Sequence, residues 1–288
     1  MNDLREGGRW SLAQRVKNDV LYGLATSAIA IASRVPARLA RAAGRGLGVI
    51  AWLCSPRLRR LAEANVASVL EVDPKAFVRR LYRELGARLG DMVASLHRTR
   101  EPLPFLPGSR EALEAAITEG RGVVFASAHL GPWEHVAASL VAHGVPLTVV
   151  AREPYDPRFA RLYARLRRGV RTVYRGADGA GVALVRVLRN GGVLGIPMDL
   201  RSRVASVTVP FLGRPAVTAV GPARLAVRTG AAVVVGAATP EGLFFTRISP
   251  SDDETEVTAR INEALGDLIL AWPEAWLWMH DRWSMLSA

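Results

Sequence analysis

Residues 122–127 read GVVFAS, and the chain continues as AHLGPWEHV over residues 128–136. The apolar run after Gly122 is strand-like and too short for a helix. Gly131-Pro132 then turns the chain into a helical stretch at about 132–143. The same alternation recurs downstream. LTVVA (147–151), GVLGIP (192–197), AAVVVGA (231–237) and LFFTRI (243–248) are further strand-like runs, separated by helical patterns at about 156–168, 178–190 and 221–229. Strands spaced by helices of this length predict βαβ crossovers, hence an α/β fold with a mainly parallel central sheet flanked by helices. A last helix, about 253–271, ends before Trp272-Pro273.

Upstream of residue 100 the pattern is helical, with Phe77, Leu81, Leu85 and Leu89 recurring every four residues. Much of the net charge of +12 sits at the start of the chain, where residues 1–60 carry eleven basic residues against three acidic ones. Val20–Ser33 is free of charge, but fourteen helical residues cover only about 21 Å, short of a hydrocarbon core of about 30 Å. Arg34, Arg38, Arg41 and Arg45 follow at helical spacing, with Leu39, Ala43, Leu47 and Ile50 towards the other face. A basic stripe opposite an apolar one predicts an N-terminal helical layer lying on an anionic membrane surface. An ordinary amphipathic surface helix would show the same stripe.

The chain has 288 residues, half of them hydrophobic, and one cysteine, Cys54. That excludes a disordered chain, a disulfide framework and any multi-cysteine metal site. The charge points to an anionic partner. A non-catalytic basic protein binding lipid or nucleic acid has only this charge in its favour, and no zinc finger, RNA-binding aromatic motif or helix-turn-helix accompanies it.

His129 follows the strand GVVFAS with one residue between, at the carboxyl end where ligands meet an open α/β sheet. Glu134 lies five residues on, across Gly131-Pro132, so its carboxylate can fold back to the imidazole. A histidine oriented by a carboxylate is a general-base pair. With no G-x-S-x-G nucleophile elbow, such a base suits direct attack of a substrate hydroxyl on an activated acyl group. His135 follows, but no cysteine or further histidine approaches to make a metal site. Arg152 and Asp199 each follow a strand and lie at the same sheet edge; Asp199 can orient the acceptor or assist His129. Arg158, Arg161, Arg165 and Arg168, with Arg171 and Arg175 beyond, offer forks for a phosphate or an acidic carrier. Arg201 and Arg203 are further candidates for phosphate or carbonyl contacts. Backbone amides near Gly131, or a nearby arginine, are candidate donors to an oxyanion. Trp272, Trp276, Trp278 and Trp283 suit a membrane interface or a core, the core being favoured for Trp278 and Trp283.

Four ordered blocks give these residues a family likeness. HLGPWE resembles the H-x4-D/E motif of the lysophospholipid acyltransferase superfamily, in its lipid A late acyltransferase branch. AREPYDPRFARLYARLRRGV is similar to the second block of that branch. IPMDLRSRVASVTVPFLGRPAVTAVGPARLAVRTGA resembles the block with an Asp after a strand, and WPEAWLWMHDRW its terminal signature. Met198-Asp199-Leu200-Arg201 departs from the usual Asp-Gln-Asp and keeps only the first acid. The likeness spans about residues 10–285. It implies transfer of a fatty acyl chain from acyl carrier protein or acyl-CoA to a hydroxyl of a lipid A precursor, or of another glycolipid such as a phosphatidylinositol mannoside. His129 would serve as base with Glu134 as its partner, and Arg152 is the arginine of the second block. No metal or organic cofactor is implied, and no nucleic acid. A carrier-protein donor places the enzyme on the cytoplasmic face of the inner membrane, peripheral or monotopic. Residues 1–60 are then the membrane-associated segment and residues 61–288 a single acyltransferase domain.

Overall fold

The computed structural model describes residues 9–32, 34–96, 100–167, 169–202 and 204–284. Four helices come first, α1 (Leu12–Ala32), α2 (Ala37–Cys54), α3 (Pro56–Ala67) and α4 (Pro74–Ser95). The α/β part follows as α5 (Ser109–Thr118), β1 (Val123–Ser127), α6 (Trp133–Ala142), β2 (Leu147–Ala151), α7 (Arg158–Arg167), β3 (Arg171–Tyr174), α8 (Ala180–Arg189) and β4 (Val193–Pro197). After these come β5 (Ser206–Phe211), β6 (Arg214–Ala219), α9 (Gly221–Thr229), β7 (Ala232–Ala238), β8 (Leu243–Ile248), α10 (Glu254–Ala271) and a 3₁₀ turn at Pro273–Ala275.

Six strands form one sheet in the order β3-β2-β4-β1-β7-β8, parallel except for β8, which pairs antiparallel with β7. The expected α/β architecture is therefore present. Alternation along β1 sorts its side chains between two cores. Val124 and Ala126 join Leu194, Val235 and the residues of α3, α4, α9 and α10, whereas Val123 and Phe125 pack with Leu113, Leu140 and Phe245 under α5 and α6. Two elements escape the sequence pattern. Edge strand β3 is only four residues, RTVY, and β5–β6 is a separate antiparallel hairpin. The hairpin turns at Leu212-Gly213, both with positive φ, as a tight two-residue β-turn requires.

Helices α2 and α4 touch backbone to backbone. An ideal Cβ on Gly44 would lie 2.2 Å from the Gly86 carbonyl oxygen, and one on Gly86 would lie 2.2 Å from that of Gly44. This contact alters half of the expected basic stripe, since Arg34 and Arg38 remain exposed while Arg41 and Arg45 do not stand free. Arg41 bonds the carboxylates of Asp91 and Glu84, and Arg45 bonds Glu84 at 3.2 Å, so both point into the α2–α4 seam. Arg34 lies before α2 and donates to the Ala30 carbonyl at 2.8 Å. The cause is α4, which presents Glu84 and Asp91 to the same helix face as the arginines and pairs with them.

What α2 exposes instead is apolar: Leu39, Leu47, Ile50 and Leu53 are each more than half exposed, as are Leu12, Val16, Val20, Leu24 and Ile31 on α1. Helix α1 is docked at Asp19, which bonds Arg158 of α7 at 2.7 Å, and at Tyr22, packed edge-on against Phe159. Among the described residues, no helix is long and apolar enough to cross a membrane.

Candidate active site

The parallel register brings the site together. Ser127 of β1 pairs with Pro197 of β4, and the Met198 amide extends the ladder by donating to the Ser127 carbonyl at 2.9 Å. His129 and Asp199 each stand two residues beyond these strand ends, so they meet. Nδ1 of His129 lies 2.9 Å from Asp199 Oδ1, and the His129 amide donates to Oδ2 at 3.0 Å. The ionised carboxylate can only accept, so the neutral imidazole carries its proton on Nδ1 and leaves Nε2 as a free base. Trp133 packs edge-on against the imidazole, with ring centroids 5.2 Å apart.

Asp199 is fully buried. Burial raises its pKa, but the hydrogen bond and charge of His129, the bond from Trp276 and the His129 amide together hold it below the usual carboxylate range. Burial likewise opposes protonation of His129; the hydrogen bond and charge of Asp199, then the charge of Glu134, outweigh it and raise the imidazole above the ordinary histidine value.

The expected hydrogen-bonded partner of His129 is thus corrected from Glu134 to Asp199. Glu134 sits in the first turn of α6 and is held by Arg167 of α7, at 2.9 Å to Nε and 3.1 Å to Nη2. Gly131 makes the bend at φ +61°, which starts the helix at Trp133 and swings Glu134 towards α7 rather than back to the imidazole. Its amide donates to the Ala275 carbonyl at 3.1 Å, which removes it as an oxyanion donor.

Arg152 and Arg175 follow β2 and β3 directly, and Ala151 pairs with Tyr174, so both arginines stand at the same carboxyl edge as His129 and Asp199. Burial and the charge of Arg152 lower the pKa of Arg175, which also bonds the Ser202 hydroxyl at 2.6 Å. Arg171 is placed elsewhere: it begins β3, at the amino edge of the sheet and roughly 10 Å of strand away. Arg201 is occupied by the tail, with its amide donating to His280 Nε2 at 2.9 Å and Nη1 to the Ser284 carbonyl at 2.8 Å. Arg168 and Arg203 lie outside the described residues. Trp276, which bonds Asp199, and Arg167, which bonds Glu134, were not singled out by the sequence as site residues. Trp276 lies 77 residues from its partner, a separation that carries no spacing signal.

Behind the His129 turn is a cavity of about 1000 Å³, lined by Leu85, Leu89 and Met92 of α4, Trp133 and Val141 of α6, and Trp272, together with the charged groups of Arg41, Glu84, Arg88, Asp91 and Glu134. Its size is at the upper end for small-molecule sites, and its walls suit a long apolar group. No cluster of three metal-ligating side chains is present among the described residues.

The sequence profile of the bacterial lipid A biosynthesis acyltransferases matches residues 15–285. The chain belongs to that family. It is also similar to a phosphatidylinositol mannoside acyltransferase of Mycobacterium tuberculosis, with 32% identity over 186 residues, 61% of this chain and 59% of the relative. A protein of the same name from Mycolicibacterium smegmatis is 27% identical over 181 residues, 59% of this chain and 60% of the relative. The match therefore spans about three fifths of each curated relative's length.

Proposed function

We propose that the protein is an O-acyltransferase that moves a fatty acyl chain from an acyl thioester to a hydroxyl of a glycolipid. The reading rests on one observation: a histidine with a free Nε2, backed by a buried carboxylate, at the edge of a sheet beside a large, mainly apolar cavity. Nε2 of His129 takes the proton of the acceptor hydroxyl as its oxygen bonds the thioester carbonyl carbon. The tetrahedral intermediate collapses, the C–S bond breaks, and the sulfur leaves as a thiol with the proton returned by His129. The first amides of α6, at Trp133 and Glu134, have no carbonyl within their helix and face developing negative charge. The cavity takes the acyl chain. Arg152 and Arg175 hold an acceptor phosphate by bidentate, charge-assisted bonds.

Three features favour a glycolipid of the phosphatidylinositol mannoside kind as acceptor: the names of the relatives, the paired arginines for a phosphodiester, and the apolar outer face of α1 and α2. That face lies on the bilayer, with exposed Arg38, Arg57 and Arg60 at its margins to meet anionic headgroups. A lipid A precursor is the second acceptor, favoured by the family profile. Acyl carrier protein and acyl-CoA both supply the required thioester, and the former places the reaction on the cytoplasmic face of the inner membrane.

Purified protein incubated with each acceptor and each acyl thioester, with products read by mass, tests the assignment. Acylated mannoside and free thiol are expected, and His129→Ala should lower the rate roughly 10²–10⁴-fold or more. The acidic limb of the rate should fall above the ordinary histidine pKa, because His129 must be neutral to act. Near wild-type transfer by His129→Ala would overturn the mechanism.

A further inference from the structure

The end of the chain returns to the catalytic edge. Trp276 is fully buried, and its indole N–H donates to Asp199 Oδ2 at 2.8 Å, the same oxygen that accepts the His129 amide. The tail that carries it is fastened at several points. Asn65 of α3 donates to the carbonyls of Trp278 and His280 at 2.8 and 2.9 Å, and Arg88 of α4 donates to that of Glu274. Arg282, also fully buried, bonds the Val217 carbonyl and the Thr218 hydroxyl, each at 2.7 Å.

We propose that Trp276 is a positioning residue for the reaction, acting through Asp199. The final torsion of an aspartate is soft, and without the indole only the His129 amide would hold Oδ2 against a swing of the carboxylate. The indole adds the second, shorter bond to Oδ2, which keeps Oδ1 aimed at Nδ1 of His129 and Nε2 free of its proton. The proposal rests on the reading of His129 as the base.

The indole bond stabilises the anionic carboxylate, so its loss raises the proton affinity of the His129–Asp199 pair as a unit. Several charged or titratable groups surround the pair. Glu134 acts on His129 from α6 and is bound to Arg167; His280 and Arg282 of the tail face Asp199, and Asp281 and Arg201 stand against His280. None of them bonds the Trp276 indole, and each is retained when that residue changes.

Trp278 provides the control within the molecule. It too is fully buried, its ring stands 5.0 Å from that of Trp276, and its indole donates to the Pro273 carbonyl at 2.7 Å rather than to Asp199. Trp276→Phe and Trp278→Phe are compared by pH–rate profile and by NMR titration of the His129 imidazole. Trp276→Phe should lower kcat by about tenfold, the worth of one buried bond to a charged group, with KM little changed. Its acidic limb and its His129 titration should move together to higher pH. Trp278→Phe should lower Tm and leave both where they are. A wild-type limb and titration in Trp276→Phe, or an equal shift in both variants, overturns the proposal.

If Trp276→Phe does not fold, wild-type protein labelled at the indole nitrogens serves instead. One indole resonance should follow the His129 titration and be displaced in Asp199→Asn; the absence of any such resonance overturns the proposal. The titrations need no turnover, so they remain informative even where His129→Ala keeps its activity and the acyl-transfer reading fails.

Discussion

The carboxyl edge of the sheet and the outer face of α1–α2 handle polarity in opposite ways. At the sheet edge a charge is buried and fully satisfied, since Asp199 accepts from the His129 ring, the His129 amide and Trp276. On α2 the charges of Arg41 and Arg45 turn to Glu84 and Asp91, and the side chains left outside are Leu39, Leu47, Ile50 and Leu53, with Arg38 beside them. The first arrangement is what a base needs: a fixed tautomer and a counter-charge out of reach of water. The second is costly in water and favourable against acyl chains. Polar groups are thus neutralised in both places, behind the proposed base in one and beneath an apolar surface in the other.

The contrast can be broken most severely at the seam that supports the apolar face. Gly86→Val would drive side-chain carbon into the Gly44 carbonyl, which an ideal Cβ already approaches to 2.2 Å. We expect a loss of at least about 3 kcal/mol in chemical denaturation, or separation of α2 from α4, because neither backbone can yield without distorting its helix. Next in size, Leu47→Ser, Ile50→Ser and Leu53→Ser together should reduce binding to anionic liposomes by about tenfold or more. Turnover on detergent-dispersed substrate should be unchanged, since these side chains are exposed and none lines the cavity. The smallest effect is expected from Arg41→Gln with Arg45→Gln. Partly exposed pairs are worth at most about 1 kcal/mol, so thermal stability should fall slightly and liposome binding should hold. Strong release from liposomes by the arginine pair, with little from the apolar triple, would reverse the roles assigned to charge and apolar surface.

These two regions were not equally legible in the sequence. The strands GVVFAS, LTVVA and GVLGIP and the helices between them could be read from apolar runs and their breaks, which also put His129, Arg152 and Asp199 at strand ends. The partner of His129 could not be read from spacing along the chain. Glu134 is five residues away but is carried off by the first turn of α6, whereas Asp199, seventy residues away, arrives through the Ser127–Pro197 register. The equal offset of two residues from each strand end was present in the sequence, but it became informative only once β1 and β4 were known to be neighbours. Strand β3 is short and begins with arginine, so it lacked an apolar signal, and Arg171 was accordingly misplaced towards the site. On α2 the helical period put the arginines on one face correctly, but no sequence period says what the neighbouring helix presents to that face.

The central claim is that His129 works with Asp199, not with Glu134, and single-turnover acyl transfer in Asp199→Asn and Glu134→Gln tests it most directly. The account predicts a fall of roughly 10³–10⁴-fold for Asp199→Asn, the scale seen when the carboxylate behind a catalytic histidine is replaced by its amide. For Glu134→Gln, which keeps a hydrogen-bond acceptor for Arg167 and removes only a more distant charge, it predicts a loss of about tenfold or less. A Glu134→Gln enzyme as inactive as His129→Ala, beside an Asp199→Asn enzyme near wild type, would contradict it.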